Sequence, residues 1–319
     1  MTDRVKIASL PTPIEELSRL TNLLKGPRLW VKRDDLTGLA FGGNKTRKLE
    51  YLVADALANH ADTLLTAGAI QSNHCRQTAA AAARFGLRCQ LVLTGIQPEL
   101  SSANLLLDEL LGASLTWVAD RADRDTTLTE TFNHLKADGR KPYLIPYGGS
   151  SPIGALGYMH AMQELMEQGI SFDWIVVASS SGGTQAGLVC GAKQFGFEGQ
   201  ILGISIDEPQ ALLQAYVLEL ANQSAGLQGM TATITQEDVL VNADYCSAGY
   251  GIMTDLERKA IQLFAENEGL LLDPVYTGRA AGGMLDLIKR GFFSGNDRVL
   301  FWHTGGQPAL FASAYTGMI

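Results

Sequence analysis

Four short stretches of the chain carry the residue types that chemistry needs. The first is Phe41-Gly-Gly-Asn-Lys-Thr-Arg-Lys48, directly ahead of a segment in which Leu49, Leu52, Val53, Ala56 and Leu57 share one helical face. A lysine amine is nucleophilic only when neutral, and the adjacent cations Arg47 and Lys48 are expected to disfavour the protonated form of Lys45. The Gly42-Gly43 pair lets the backbone approach a ligand closely, and cations in a first helical turn oppose the helix dipole, so their placement points to another use. An exposed first-turn lysine is the bland alternative for Lys45. Spacing disfavours a nucleotide-binding P-loop, which stays an alternative, because Asn44 separates Gly43 from Lys45 where GxxxxGK[ST] requires adjacency.

The second stretch, Ala67-Gly-Ala-Ile-Gln-Ser-Asn-His74, ends a strand and opens an Ala-rich helix. Free N–H groups at such a helix start attract a carboxylate or phosphate, although Ser72 and Asn73 also read as simple N-caps. The third, Val176-Val-Ala-Ser-Ser-Ser-Gly-Gly-Thr-Gln-Ala-Gly187, runs strand, small-residue loop, helix. Its N–H groups and hydroxyls form a nest for a phosphate without any lysine, while the absence of GxGxxG argues against a dinucleotide. The fourth is split among Ala248-Gly-Tyr-Gly251, Leu272-Asp-Pro-Val-Tyr-Thr-Gly-Arg279 and Phe301-Trp-His-Thr-Gly-Gly306. Tyr250 and Tyr276 there are either site groups or packed core tyrosines.

The elements that must hold these stretches follow from periodicity. Apolar runs at 63–67, 88–93, 114–118, 142–145, 174–178, 201–206 and 298–302 read as strands covered on both faces. Between them lie helical stretches, one starting at an N-capping Asn44 and others stopping at Gly86, Gly112 and Gly269. Regular strand–helix alternation implies an α/β fold with parallel, twisted, open sheets and helices on both faces. The Gly-rich Tyr147–Pro152 stretch looks like a crossing between lobes, which gives a small α/β domain at 48–151 and a large domain from 1–47 plus 152–319.

Composition narrows the function. With 25 Lys+Arg against 33 Asp+Glu, the net charge of −8 disfavours a nucleic-acid partner. No apolar run approaches the roughly 18 residues of a membrane span, and the first residues lack the apolar core of a signal peptide. Four cysteines without a CxxC pair, and five histidines without HExxH, give neither a disulfide framework nor a metal site. A cytoplasmic location is expected.

Taken together, Pro11-Thr-Pro13, Val31-Lys-Arg-Asp-Asp35, Gly42–Glu50, Gly68–His74 and Asp273-Pro-Val-Tyr-Thr-Gly278 appear in the order found in pyridoxal-phosphate enzymes of the tryptophan-synthase-β-like fold. Within that fold the chain resembles the D-cysteine desulfhydrase / ACC deaminase family over essentially its whole length. The resemblance implies two sheets, pyridoxal 5'-phosphate as cofactor, a small amino-acid substrate and a homodimer. It implies that Lys45 matches the Schiff-base lysine and that Asn73 lies beside the cofactor's phenolic oxygen. Ser180, Ser181, Gly182, Gly183 and Thr184 match the phosphate cradle, and Thr304 the residue at the pyridine nitrogen. Ser72, Asn73 and His74 would receive the substrate carboxylate, with Tyr250, Tyr276 and Thr277 also on the substrate side. The implied reaction is β-elimination of a sulfur group, D-cysteine giving pyruvate, ammonia and hydrogen sulfide. L-cysteate sulfo-lyase activity is the alternative, for which Arg279 is a candidate sulfonate partner. ACC deaminase activity is disfavoured, because Thr277 and Thr304 stand where ACC deaminases carry Glu and Leu.

Overall fold

The computed structural model describes residues 3–318. Ten strands fall into two sheets. The larger is built from β1 (Ile14–Glu16), β2 (Arg28–Arg33), β7 (Trp174–Ser179), β8 (Gln200–Ser205), β9 (Leu240–Asn242) and β10 (Arg298–His303), in the order β1-β2-β10-β7-β8-β9. Only β1 is antiparallel to its neighbour. The smaller sheet is wholly parallel, in the order β5-β4-β3-β6, from β3 (Thr63–Ala69), β4 (Arg88–Thr94), β5 (Ser114–Val118) and β6 (Pro142–Leu144).

Alternation along the central strands explains the layers. Val176 and Phe301 face α9 (Asp255–Glu268) and α10 (Thr277–Lys289), with α1 (Ser18–Leu24) alongside. Val177, Leu300 and Trp302 point the other way, onto α6 (Pro152–Glu167), α7 (Gly183–Phe195) and α8 (Gln210–Leu227). In the smaller sheet Leu64 and Leu91 pack on α2 (Asn44–Ala58), α3 (Asn73–Arg84) and α4 (Ala103–Leu110). Leu65, Ala67 and Val92 pack on α5 (Arg124–Ala137). Both faces of each sheet are therefore covered, as uninterrupted apolar strands require. We propose 1–47 with 152–319 and 48–151 as the two domains, with α2 shared between them because it packs on the smaller sheet and on α6.

One buried carboxylate joins the pieces that carry the site. Asp34, in the turn after β2, accepts from Thr12 Oγ1 (2.9 Å), Tyr158 Oη of α6 (2.5 Å) and Trp302 Nε1 of β10 (2.8 Å). Arg47 of α2 grips it through Nη2 (2.8 Å) and Nε (2.9 Å), and also pairs with Glu164 of α6 at 2.9 Å. Asn44 is the first helical residue of α2 rather than its cap. Gly43 occupies the cap position with φ +119°, and a Cβ there would fall 2.7 Å from Gln77 Nε2.

Burial alone would raise the Asp34 pKa, but Arg47 outweighs it and holds the group at about 2. A pKa below the unfolded value makes the ion pair stabilising above the ordinary carboxylate range, and that contribution is lost as pH falls towards 2. Asp34→Asn leaves Arg47 partly unpaired in a dry interior, so urea unfolding at pH 7 should show a loss of about 3–5 kcal/mol. The difference from wild type should shrink as pH is lowered through 4 towards 2, and a loss below about 0.5 kcal/mol at pH 7 contradicts the role assigned to Asp34.

Candidate active site

The site forms where three helices begin. The starts of α2, α3 and α7 line one cleft between the two sheets, closed on one side by Thr304 and Gly305 after β10. Each helix start presents unpaired N–H groups and the positive end of a dipole. Two bonds lock the starts together: Asn44 N–H donates to the Thr304 carbonyl at 2.9 Å, and Asn44 Nδ2 donates to Thr184 Oγ1 at 3.0 Å. That second bond is why Asn44 sits inside the helix, since its amide serves another helix rather than its own backbone.

Lys45 is the second residue of α2 and lines the cleft with no hydrogen-bond partner among the described residues. Its pKa is lowered to about 8 by burial, against an opposite pull from the charge of Asp273. The sequence reading assigned that lowering to Arg47 and Lys48, and this is corrected. Arg47 turns away to Asp34 and Glu164, and the lowering comes from desolvation.

Lys48 holds a role that the sequence reading missed. Its Nζ reaches the Gly148 carbonyl (3.2 Å) and Ser150 Oγ (3.3 Å), and among the described residues it has no acidic partner. A Cβ on Gly183 would lie 2.9 Å from that Nζ, so the ammonium sits against the small-residue loop itself. Burial first, then the charge of Lys45, pushes its pKa well down. The nest expected to work without a lysine therefore has one. The spacing i, i+3 from Lys45 was the available signal, since it places both amines on one helical face.

Of the other expected residues, Ser72, Asn73, His74, Ser180, Ser181, Gly182, Thr184, Tyr276 and Thr304 all line the cleft. Ser72 is also a true N-cap, accepting from Cys75 N–H at 3.2 Å. Thr66 Oγ1 donates to the Ile145 carbonyl, so it accepts from His74 Nε2 (2.9 Å) and leaves Nδ1 of that ring as a bare, buried acceptor. Burial, with Lys45 and Lys48 nearby, keeps His74 neutral. Ser181 Oγ meets Ser150 Oγ at 2.8 Å, and Ser180 Oγ donates to Asp207 at 2.7 Å.

Three expected contacts fall outside the cleft wall. Gly183 N–H is taken up by Ser150 Oγ at 3.1 Å. Tyr250 reaches the cleft only through Tyr276, their hydroxyls being 2.7 Å apart; burial keeps both neutral well above the usual tyrosine range. Thr277 is fully buried and its hydroxyl donates to Asp273 Oδ1 at 2.7 Å, so it turns the chain into α10 and does not line the cleft. Tyr147 lines the cleft without having been expected there, with the Arg124 guanidinium 4.5 Å over its ring.

Two buried lysines without acid partners and three positive helix ends need an anion. The group that the resemblance implies, a phosphorylated aldehyde, fits this donor set: Lys48 and the α7 start suit the phosphate, and a depressed lysine amine suits the carbonyl. A model of the family "Pyridoxal-phosphate dependent enzyme" matches residues 5–305. The D-cysteine desulfhydrases of Salmonella typhi and Salmonella choleraesuis (strain SC-B67) are each 43% identical over 317 residues, covering 97% of this chain and 95% of theirs. A solved ACC deaminase homologue superposes with a TM-score of 0.90 at 38% identity, over 97% of this chain and 93% of its own. A fungal L-serine ammonia-lyase from Rhizomucor miehei shares the fold at TM-score 0.68 and 15% identity, over 97% of this chain and 96% of its own.

The lowered pKa gives a direct check on Lys45 in the cofactor-free protein. Burial disfavours the cation, so amine acylation at Lys45, read by peptide mapping, should rise with pH with a midpoint near 8. A midpoint near that of an ordinary lysine, about 10.4, contradicts this environment.

Proposed function

This chain belongs to the pyridoxal-phosphate dependent enzyme family, and from that premise we propose that it is a carbon–sulfur lyase converting D-cysteine and water to pyruvate, ammonia and hydrogen sulfide. The observation that carries the reading is the anion-binding cleft with a depressed lysine at the start of α2, in a chain 43% identical to proteins named D-cysteine desulfhydrase.

When bound, the cofactor supplies an electron sink that makes the Cα–H bond of an amino acid acidic. The protein does the rest. Lys48, Thr184 and the α7 start would hold the phosphate, while the N–H groups of Asn73 and His74 and the Ser72 hydroxyl would receive the substrate carboxylate at the start of α3, the Ser72 N–H being taken up by the Ala69 carbonyl. Lys45 Nζ, its pKa lowered by burial to about 8 so that the neutral amine is readily reached, takes the proton from Cα. The Cβ–S bond then breaks and its electron pair leaves with sulfur. Tyr276, backed by Tyr250, stands on the same cleft wall as a neutral hydroxyl able to give the departing sulfur a proton.

The state of Arg279 weighs against the sulfonate alternative. Its guanidinium is buried and already bonded to Glu257 Oε1 (2.6 Å) and to the carbonyls of Ile206, Gly249 and Ile252. No donor of the kind a sulfonate needs is left on it facing the cleft. Thr304, whose side chain lines the cleft, offers a neutral hydroxyl to a ring nitrogen, a weaker support for the electron sink than a carboxylate. Expelling a thiolate tolerates that better than opening a ring that lacks a leaving group.

The same reading includes a homodimer in the cytoplasm. The exposed apolar residues Leu106 and Leu110 of α4 and Phe311 in the adjoining turn support a self-association face, and the four free cysteines suit a reducing compartment. No helix of the described residues is long and apolar enough to cross a membrane. Light scattering should give twice the 34.3 kDa chain mass, and the chain mass itself contradicts the dimer.

The substrate assignment is tested by offering D-cysteine, L-cysteine, L-cysteate and ACC to the cofactor-loaded protein. Sulfide and pyruvate should appear in equal amounts from D-cysteine, with kcat/KM at least about 100-fold above that for the others, a difference of about 2.7 kcal/mol. Preferential sulfite release from L-cysteate, or 2-oxobutyrate from ACC, overturns it. Lys48→Met should weaken cofactor binding by about tenfold or more in equilibrium dialysis, because it removes a buried charge-assisted contact to phosphate. Unchanged affinity contradicts the role given to Lys48.

A further inference from the structure

Asn73 can serve a cofactor oxygen only if its amide points the right way, since one end donates and the other accepts. A chain of three side chains sets that polarity, starting from a group that can only donate. Arg76, on α3 and fully buried, donates through Nε to Asn104 Oδ1 at 2.7 Å. This fixes the Asn104 amide with its oxygen towards Arg76. Its Nδ2 then donates to the Gln71 carbonyl (2.9 Å), an obligate acceptor, and to Asn73 (2.9 Å). Asn73 must therefore present Oδ1 to Asn104, which leaves its own Nδ2 donor without a protein acceptor among the described residues, on the wall of the cleft. Arg76 does more than orient Asn104. Its Nη1 and Nη2 donate to the carbonyls of Ala40 and Gly42, in the loop that leads into Lys45.

We propose that Asn104, held by Arg76, is a positioning residue that fixes the amide of Asn73 with its donor towards the cofactor ring. Asn104 lies at the start of α4, is completely buried and does not itself line the cleft; its bond to a cleft-lining residue is the one to Asn73, so it acts through Asn73. A second pair of bonds makes the placement rigid: Asn104 N–H donates to Gln71 Oε1 at 2.9 Å, and Gln71 Nε2 donates to the Ser102 carbonyl at 3.1 Å. This inference rests on the cofactor reading above and on Asn73 meeting an acceptor oxygen of that cofactor.

Asn104→Asp is the incisive variant. It is nearly isosteric and keeps the acceptor for Arg76, but it cannot donate to Asn73. The Asn73 amide would turn to give Nδ2 to the new carboxylate and would present oxygen to the cleft. The expected result is a loss of cofactor affinity of about tenfold or more and a shift of the bound cofactor's visible absorption maximum. Asn104→Ala, which leaves Asn73 unrestrained, should shift the band less. Gln71→Ala loosens α4 without touching the polarity chain and should leave the maximum in place.

A double-mutant cycle with Asn73→Ala separates positioning from general damage. In the Asn73→Ala background, Asn104→Asp should cost no further affinity and move the band no further. An equal cost in both backgrounds, or a Gln71→Ala shift matching that of Asn104→Asp, overturns the proposal. The cofactor reading fails separately, if wild type shows no bound-cofactor band or if Asn73→Ala leaves the band and affinity unchanged. A shift in Asn73→Ala with none in Asn104→Asp overturns the positioning role alone.

Discussion

The Asp34–Arg47 ion pair fixes how α2 is rolled about its axis, and most of the site's geometry follows from that. At about 100° per residue, Lys45 and Lys48 stand about 60° apart on α2, while Arg47 is about 160° from Lys45. With Arg47 bound to Asp34 and Glu164 on the far side, Lys45 is committed to the cleft and Lys48 to the Gly148–Ser150 turn beside the α7 loop. Thr12, Tyr158 and Trp302 complete the carboxylate's shell, so the N-terminal segment, α6 and β10 all hold the same roll.

That arrangement concentrates unpaired positive charge in a desolvated space. Lys48 has only neutral oxygens around it, and Lys45 has the more distant Asp273, so each amine is strained towards neutrality. In the proposed reading an anionic cofactor would relieve both at once: its phosphate would give Lys48 a counter-charge and its carbonyl would use the amine of Lys45. Binding therefore adds to the stability of the fold by mass action. The neutral His74 and the Tyr250–Tyr276 pair suit the same space, because none of them adds charge to it.

Much of this was legible in the sequence. Strands covered on both faces read directly as apolar runs, and Gly86, Gly112 and Gly269 mark helix ends with positive φ. Ser72 and the 180–184 loop stood out because local order links strand end, loop and helix start, and Lys45 because a glycine pair precedes its helix. What escaped notice depends on distant partners. Arg47 looked like a neighbour of Lys45 until Asp34 and Glu164 were seen to claim it. Asn44 looked like a cap until Thr184, from a segment far along the chain, took its amide. Thr277 stands on the substrate side by resemblance alone, yet Asp273 folds it inward while the adjoining Tyr276 lines the cleft. The strands β1 and β9 are too short and too polar for an apolar run to show, and β2 escaped because Arg28, Lys32 and Arg33 interrupt its apolar residues.

We propose that the roll of α2 gives Lys45, and not Lys48, the cofactor's carbonyl. Borohydride reduction of the cofactor-loaded protein, followed by peptide mass mapping, tests it in one step. The account predicts a single stable adduct on Lys45, with Lys48 unmodified. An adduct on Lys48, or on neither lysine, contradicts it.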